Sequence, residues 1–423
     1  MSLLICFVVM FISLALYVPI AFALAFAACA FILLENFPTV MIIQQIYSGT
    51  DSYALLALPL FVTVGTLMER ADISERLINF ASALVGHVRG GLGMVNVMDS
   101  MFFGGVSGSA VADVAATGSV MIPQMIKRGY AKGFAAALTS STSSIGIIIP
   151  PSIDMVIFGV LTGSSVGTLF TAGMIPGILV GLTMMTVVYI MASKYNFPTE
   201  GKFSLSRVID TFKKAFLTLF MPVIILGGLI SGIFTPTEAG AVAVLHALLI
   251  SITYKRFSWK WLYRILVDSA VMSSIVMILV GTSTLLGWVF AYERVPQTLA
   301  QAVVSVSSNP TVILLMITAV LLFLGTFLHG AAILILVVPV ILPVVKAAGI
   351  DLIHFGILVV FGVGIGQQTP PVGSTLFVAS AIARVGILEI TKHNIPFILC
   401  LLFIMLVILF VPDVALLLPK LLK

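Results

Sequence analysis

Two segments in the first half of the chain concentrate glycine, proline and hydroxyl side chains within very apolar sequence. Residues 103–113 read Phe-Gly-Gly-Val-Ser-Gly-Ser-Ala-Val-Ala-Asp, and residues 140–152 place a run of Ser and Thr before Pro150-Pro151. Glycine permits tight turns, and proline leaves a carbonyl of the preceding turn without its amide partner. Neutral hydroxyl and carbonyl oxygens suit an alkali cation, and the positive ends of half-helices suit a carboxylate. These segments predict a site for Na+ and an organic anion.

The second half contains two comparable segments, residues 324–330 and 362–373. Here Gln367, Gln368 and Thr369 add donors and acceptors that the first half lacks, and we assign them to the substrate. The residues expected to bind sodium are Ser107, Gly108, Ser109, Ser144, Gly146, Ile149, Gly325, Thr326, Gly366 and Thr369. The residues expected to bind the substrate are Ser143, Asp154, His329, Gln367, Gln368 and Thr369. Na+ is the only metal ion or cofactor expected.

Other interpretations of these residues stay open. A single Ser or Thr can instead serve helix packing in a membrane. Proton coupling needs a buried titratable group, for which Asp113, Asp154 and His329 are the candidates. Glu238 follows Pro236 at the start of a helix, where we prefer a first-turn acid on the helix dipole to a role in coupling.

A repeat without gaps, offset by 220 residues, relates the elements that carry these segments. Four prolines of the first half recur in the second: Pro123, Pro150, Pro151 and Pro176 as Pro343, Pro370, Pro371 and Pro396. Three glycines recur in the same way: Gly105, Gly129 and Gly146 as Gly325, Gly349 and Gly366. Because the matched residues are the helix breakers, two halves with one backbone plan are predicted.

Composition places this plan in a membrane. The chain is 60% hydrophobic and 9% charged, with a mean hydropathy of +1.22, as in a polytopic membrane protein. The net charge of +5 does not indicate nucleic-acid binding, since the positive residues lie between apolar segments. The three cysteines lie in apolar runs and predict neither a disulfide nor a metal site. The first apolar run, residues 2–34, is predicted to be one retained, tilted helix.

The apolar stretches divide into ordinary spans, broken spans and hairpins. The ordinary spans are residues 3–34, 54–68, 172–193, 217–233, 238–254, 270–290 and 396–411. The Pro-Pro pairs break the spans at about 133–170 and 353–390, and residues 91–125 and 311–345 are predicted to be re-entrant helical hairpins. Amphipathic segments at 72–88 and 295–306 precede the hairpins, either as arms on the membrane surface or as plain connecting helices.

The positive charges orient the chain. With the N-terminus cytoplasmic, all Lys and Arg fall on cytoplasmic segments except Arg294, Lys346, Lys420 and Lys423, as the positive-inside rule requires. Five crossings then separate the span at 54–68 from that at 270–290, so the two repeats have opposite orientations. Inverted repeats are typical of transporters, whose site lies where the repeats meet.

The predicted fold class is an all-α polytopic membrane protein with inverted-topology repeats, two re-entrant helical hairpins and two Pro-Pro-broken helices, of the elevator type. The predicted regions are an N-terminal helix and outer loop (1–53), the first repeat (54–193), a connecting arm with two scaffold helices (194–269), the second repeat (270–412) and a periplasmic C-terminal tail (413–423).

At this level of detail the chain resembles the large membrane subunit of tripartite ATP-independent periplasmic (TRAP) transporters. The matching motifs are residues 107–113, 149–152, 234–240 and 369–373, and the likeness covers essentially the whole chain. The resemblance implies a sodium-driven, elevator-type importer of organic acid anions such as sialic acid or C4-dicarboxylates, in a bacterial inner membrane. It also implies two protein partners, a small four-helix membrane subunit and a periplasmic substrate-binding protein.

Two other classes of protein could contain these residues. An intramembrane serine protease could use the Gly-x-Ser-Gly pattern at residues 105–108 with His329 or His246 as base, but this explains neither the repeat nor Gln367 and Gln368. A channel could be lined by broken helices, but hairpins that enter from opposite sides suit alternating access.

Overall fold

The computed structural model describes residues 1–71, 73–195 and 197–422, and within these residues the secondary structure is helical, without a β-strand. Residue 72, the first of the predicted arm, and Lys423 lie outside the described residues. The helices of the first half are α1 Ser2–Ala15, α2 Ile20–Leu34, α3 Val40–Thr50, α4 Ala57–Arg70, α5 Ile73–Val85, α6 Gly91–Ser107, α7 Ala110–Lys127, α8 Lys132–Thr142, α9 Ile153–Thr162 and α10 Val166–Tyr195. Those of the second half are α11 Leu205–Ile230, α12 Pro236–Thr253, α13 Trp259–Tyr292, α14 Val295–Val306, α15 Pro310–Gly325, α16 Gly330–Ala347, α17 Leu352–Gly366, α18 Ser374–Ala383, α19 Ile387–Phe410 and α20 Asp413–Leu421.

The predicted all-α fold with two repeats is confirmed by the way the helices repeat. Helix α7 spans residues 110–127 and α16 spans residues 330–347, so their bounds differ by 220 at both ends. In both halves the helix after the hairpin stops before a Pro-Pro pair, and both Pro-Pro bonds are cis. Within the described residues, seven helices are long and apolar enough to cross a membrane.

The contact between the halves shows how the repeats are related. The hydroxyl of Ser144 donates to the carbonyl oxygen of Gly364 at 3.1 Å, and these positions are 220 residues apart. In the inverted arrangement that the charge pattern predicts, a two-fold axis exchanges the halves, and equivalent residues contact each other beside that axis. The axis therefore passes between the two broken helices.

Local caps explain why the half-helices begin where they do. The side chains of Ser109 and Ser152 accept hydrogen bonds from backbone amides at the start of α7 and α9, and N-caps of this type stabilise a helix by about 1 kcal/mol. Thr235 and Glu238 form a reciprocal capping box at the start of α12. The capping box agrees with the structural interpretation of Glu238.

The N-terminal region differs from the prediction of one tilted helix, which was wrong. The apolar run folds into α1 and α2, which pack against each other, and the hydroxyl of Ser2 donates to the carboxylate of Glu35. The chain turns at Tyr17, which has a positive φ, just before Pro19. Apolarity alone did not reveal this turn. The predicted outer loop also contains a helix, α3.

This hairpin changes the expected side of the N-terminus. Phe7 stacks on Phe290 with ring centroids 5.5 Å apart, and Phe31 packs edge-on against Tyr292. Both ends of the α1–α2 hairpin therefore lie beside the C-terminal end of α13. The charge pattern places that end outside, because Lys255, Arg256 and Lys260 lie at or just before the opposite end of α13, on the cytoplasmic side. The N-terminus is therefore expected outside rather than in the cytoplasm.

Candidate functional site

The first hairpin tip rests on the backbone that follows the first Pro-Pro pair. Gly108, with a left-handed φ of 65°, makes the turn between α6 and α7, and its carbonyl accepts a hydrogen bond from the amide of Ile153 at 3.3 Å. A Cβ on Gly108 would lie 2.5 Å from the carbonyl oxygen of Pro151. The tip and the broken helix therefore meet through backbone atoms, as irregular backbone inside a membrane requires.

The second tip repeats this arrangement with a small shift. The carbonyl of Thr326 accepts hydrogen bonds from the amides of Val372 and Gly373, at 3.2 and 3.1 Å. Gly373 and Ile153 are equivalent positions, whereas Thr326 is equivalent to residue 106 and not to Gly108. The two tips thus use the same broken-helix residue but hairpin residues two positions apart.

Each hairpin also crosses its broken helix through paired glycines. A Cβ on Gly104 would lie 2.6 Å from the Cα of Gly146, and one on Gly325 would lie 2.8 Å from the Cα of Gly366. Only glycine allows two backbones to approach so closely. These crossings bring the freed carbonyls of both broken helices next to the hairpin tips.

A buried polar seam joins the two broken helices. The side-chain amide of Gln368 donates to the Ser144 hydroxyl at 3.0 Å, and the hydroxyls of Ser140 and Thr375 are 2.9 Å apart. Asn394 accepts from the hydroxyl of Ser141 and donates to the carbonyl of Gln368 at 2.9 Å. These side chains use their hydrogen-bonding groups to hold the two repeats together.

A cavity of about 540 Å³ lies between the tips, α4 and α13. Residues at the N-terminal ends of three helices line it, namely those of α7, α9 and α16. Such ends carry partial positive charge and exposed amides, which attract anions. A Cβ on Gly330 would lie 2.5 Å from Nε2 of Gln367 and 2.9 Å from Oδ2 of Asp154, so these two side chains flank that glycine.

The structure brings only some of the predicted residues together at this cavity. The predicted residues that line it are Ser107, Gly108, Ser109, Asp154, His329 and Gln367. The predicted residues that do not line it are Ser143, Ser144, Gly146, Ile149, Gly325, Thr326, Gly366, Gln368 and Thr369. Several of these lie in the polar seam or at the glycine crossings instead, and their binding roles stay predictions.

Sequence reasoning missed one side of the cavity. Glu69, Arg70 and Asp268 line it, and the Arg70 guanidinium forms an ion pair with the Asp268 carboxylate. Both side chains are more than 40% exposed, so the cavity extends from the tips to the solvent-accessible end of α4. The position of these three charged residues at the ends of predicted spans could have indicated a functional role, since charges within a membrane usually serve function.

The oxygen atoms near the tips fit a hard cation. Pro150 has no N–H, so the helical donor to the carbonyl of Gly146 is missing. Pro370 removes the same donor from Gly366, but there the amide of Thr369 donates to that carbonyl at 2.9 Å. The first half therefore offers a freer carbonyl than the second, where the broken helix crosses the hairpin at Gly104, three residues before Ser107.

Comparison with known proteins agrees with this arrangement. Residues 7–414 match the model of the family described as "Tripartite ATP-independent periplasmic transporter, DctM component". The chain is 41% identical to the sialic acid TRAP transporter large permease protein SiaM of Vibrio cholerae, covering 95% of each chain. It is 37% identical to the C4-dicarboxylate TRAP transporter large permease protein DctM of Pseudomonas aeruginosa, covering 89% and 88%.

A solved structure supports the fold alone. The YdaH transporter of Alcanivorax borkumensis aligns with a TM-score of 0.65 over 87% of this chain and 86% of that one, at 14% sequence identity. The family match and the relatives are transporters, which leaves the protease interpretation without support. This multi-pass membrane chain therefore belongs to the DctM-component family, the large permeases of the tripartite ATP-independent periplasmic transporters.

Proposed function

We propose that this chain is the large permease of a sodium-driven importer of an organic acid anion in a bacterial inner membrane. The observation that carries the proposal is the cavity where the two repeats meet, lined by the N-terminal ends of α7, α9 and α16. Among the described residues that line it, Arg70 is the only arginine, and it is already paired with Asp268. Helix ends, amide donors and His329 are thus the groups left to attract a carboxylate.

The relatives narrow the substrate class. They are named for sialic acid, for C4-dicarboxylates and, in a 36% identical protein of Escherichia coli, for 2,3-diketo-L-gulonate. All three are organic acids. We infer that the chain transports an organic acid anion of this kind, supplied by a periplasmic binding protein and supported by a small four-helix membrane subunit.

Uptake into vesicles tests this function. Vesicles that contain the chain and its small subunit should import substrate only when loaded binding protein and a sodium gradient are present. Ser109→Ala should raise the sodium concentration for half-maximal uptake by about 5- to 150-fold, since losing one neutral ligand removes about 1–3 kcal/mol. Uptake driven by a proton gradient without sodium would favour the proton-coupled alternative, and full-rate uptake of free substrate would exclude a tripartite system.

The movement proposed is an elevator. The hairpins and broken helices would move as one unit along a wall that includes α4, α11 and α13. In the charge-derived orientation the cavity extends toward the cytoplasmic end of α4, so the conformation is inward-facing. A rigid unit is supported by the polar seam that ties its two halves together.

Two engineered disulfides of similar geometry test whether the unit moves as a rigid body. Both are introduced into a variant that lacks the three native cysteines. A Cβ on Gly105 would lie 3.6 Å from the Cβ of Pro222 on the wall, and one on Gly364 would lie 3.6 Å from the Cβ of Ser144 within the unit. Both separations suit a disulfide. Oxidation of Gly105→Cys/Pro222→Cys should stop uptake reversibly.

Oxidation of Gly364→Cys/Ser144→Cys should leave uptake at the rate of the same protein when reduced, because the two halves move together. Each variant serves as its own control, since the reduced and oxidised forms share every substitution. If the second disulfide also abolished uptake, the hairpins would have to move relative to each other, and a rocking mechanism would replace the elevator.

A further inference from the structure

A cluster of polar side chains lies behind the first hairpin tip, between the two legs of the hairpin and α8. It takes no part in the cavity or in the polar seam. Each of its members is at most 1% exposed: Asn96, Asp99, Ser100, Asp113, Thr117, Thr139 and Thr142. Two carboxylates are therefore enclosed in the apolar part of the molecule.

Two hydroxyl groups of the cluster donate hydrogen bonds to other members of it. The Thr117 hydroxyl donates to Oδ2 of Asp99 at 2.8 Å. The Ser100 hydroxyl donates to that of Thr142 at 3.0 Å. The hydroxyls of Ser100 and Thr117 also lie near enough to Asp113 to act on its carboxylate. A hydroxyl has one proton to donate, so a bond to Asp113 would replace one of the two bonds to Thr142 and Asp99.

With the hydroxyls bonded to Thr142 and Asp99, three carboxylate oxygens have no hydrogen-bond donor. They are Oδ1 of Asp99 and both oxygens of Asp113. The neighbouring charge that acts on Asp99 is Asp113 itself, another acid. Asp113 also faces the broken helix, since a Cβ on Gly146 would lie 3.7 Å from its Oδ2.

Buried polar groups without partners are rare in native proteins, and a buried carboxylate needs a positive charge or donors to offset its lost hydration. The backbone plan does not require these acids. At the equivalent positions of the second repeat the chain has Ala319 for Asp99 and Ile333 for Asp113. Something specific to the first repeat must therefore stabilise them.

We propose that Asp99 and Asp113 bind a monovalent cation at a second site, deeper in the first hairpin than the sodium site proposed at Ser107 and Ser109. The ligands would be the three unpartnered carboxylate oxygens, with the lone pairs of the Thr117 and Ser100 hydroxyls. Calcium takes about six to eight oxygens and magnesium keeps several waters, more than this enclosed cluster offers. The site goes beyond the proposed function, because an ion there need not be coupled to transport.

Sodium binding to the purified protein tests the proposal without any transport. Melting temperature is measured against NaCl concentration, with choline chloride keeping the ionic strength constant and without substrate. Asp113→Asn should raise the sodium concentration for half-maximal stabilisation at least tenfold, and Asp99→Asn should do so to a smaller extent because Thr117 partly satisfies it. Asp210→Asn, which alters an exposed acid paired with Lys214, should leave the titration unchanged.

Counting bound ions separates this site from the one at the tip. Equilibrium binding of radioactive sodium should show one ion fewer in Asp113→Asn, a different ion lost in Ser109→Ala, and both lost in the double variant. If the two single variants and the double variant lost the same ion, the deep site would not exist. A failure of sodium-driven uptake in wild type would overturn the proposed function while leaving this count intact.

Two results would overturn the proposal directly. Unchanged sodium titrations in Asp113→Asn and Asp99→Asn would mean that protons neutralise the acids, and equal stabilisation by Mg²⁺ at lower concentration would contradict a monovalent site. Should Asp113→Asn fail to fold, Asp113→Glu keeps the charge but moves the oxygens. A shifted sodium affinity in that variant supports the site, and an unchanged affinity refutes it.

Discussion

The two repeats share one backbone but differ in the chemistry that they enclose. Seven buried or polar positions of the first hairpin and α8 have apolar or glycine equivalents in the second repeat. The pairs are Asn96 and Met316, Asp99 and Ala319, Ser100 and Val320, Asp113 and Ile333, Thr117 and Val337, Thr139 and Val359, and Thr142 and Gly362. The Pro-Pro breaks, by contrast, are the same in both halves. The glycine crossings recur with a shift of one residue, because Gly104 meets Gly146 whereas Gly325, the equivalent of Gly105, meets Gly366.

This contrast separates two requirements. Closing a hairpin against a broken helix inside a membrane depends on backbone geometry, so the glycines and prolines recur. Holding charge or hydroxyl groups there depends on side chains, which each half can change independently. The second repeat instead carries its polar groups at the break. There Gln367 and Gln368 occupy the positions equivalent to Ile147 and Ile148 of the first repeat.

The arms before the hairpins should show the largest difference in stability. Leu77 of α5 is fully buried, whereas Leu299 of α14 is only partly buried. Leu77→Ala should destabilise the protein by about 2–5 kcal/mol through the cavity that it leaves, and Leu299→Ala by clearly less. Thermal unfolding in detergent measures both. Equal losses would mean that α14 is covered as fully as α5, for example by another subunit.

The glycine crossings should respond alike in the two halves. Gly104→Ala and Gly325→Ala would each press a methyl group against a glycine backbone on the broken helix, at a cost of about 1–3 kcal/mol. Both should reduce uptake together with melting temperature. Gly287→Ala is the control, because no atom lies within 4 Å of the added methyl. If the alanine substitution were tolerated in one repeat, the two backbones at that crossing would be farther apart than in the other repeat.

Exchanging one pair of equivalent residues tests the chemical asymmetry, with an expected effect no larger than that at the glycine crossings. Thr139→Val removes the acceptor of the Asn96 side-chain amide, a bond of 2.7 Å, and should cost about 1–3 kcal/mol. The reverse change, Val359→Thr, should cost less, because a helical Thr can donate to the carbonyl four residues earlier. Thermal unfolding distinguishes the two, and a larger loss for Val359→Thr would contradict the assignment.

Much of the architecture could be predicted because helix breakers act locally. Pro150, Pro151 and the glycines recurring at a fixed offset indicated the broken helices and hairpins without any knowledge of their contacts. The turn at Tyr17 was missed, although Pro19 follows it and a proline often marks a helix boundary. Asp99 was also missed, since a single acid among apolar residues does not reveal which groups surround it.

The sequence by itself determined the membrane class, the two-fold repeat, the breaks and the family, because hydropathy, spacing and backbone preference are properties of short segments. Only the tertiary structure decided which oxygens converge. It placed Gln368 and Ser144 in the seam between the repeats, left Asp154 and Gln367 beside the cavity, and gathered Asp99 with Asp113. The first two pairs join residues far apart in the chain, and Asp99 meets Asp113 only because the hairpin folds back on itself, so the packing of whole helices sets all three.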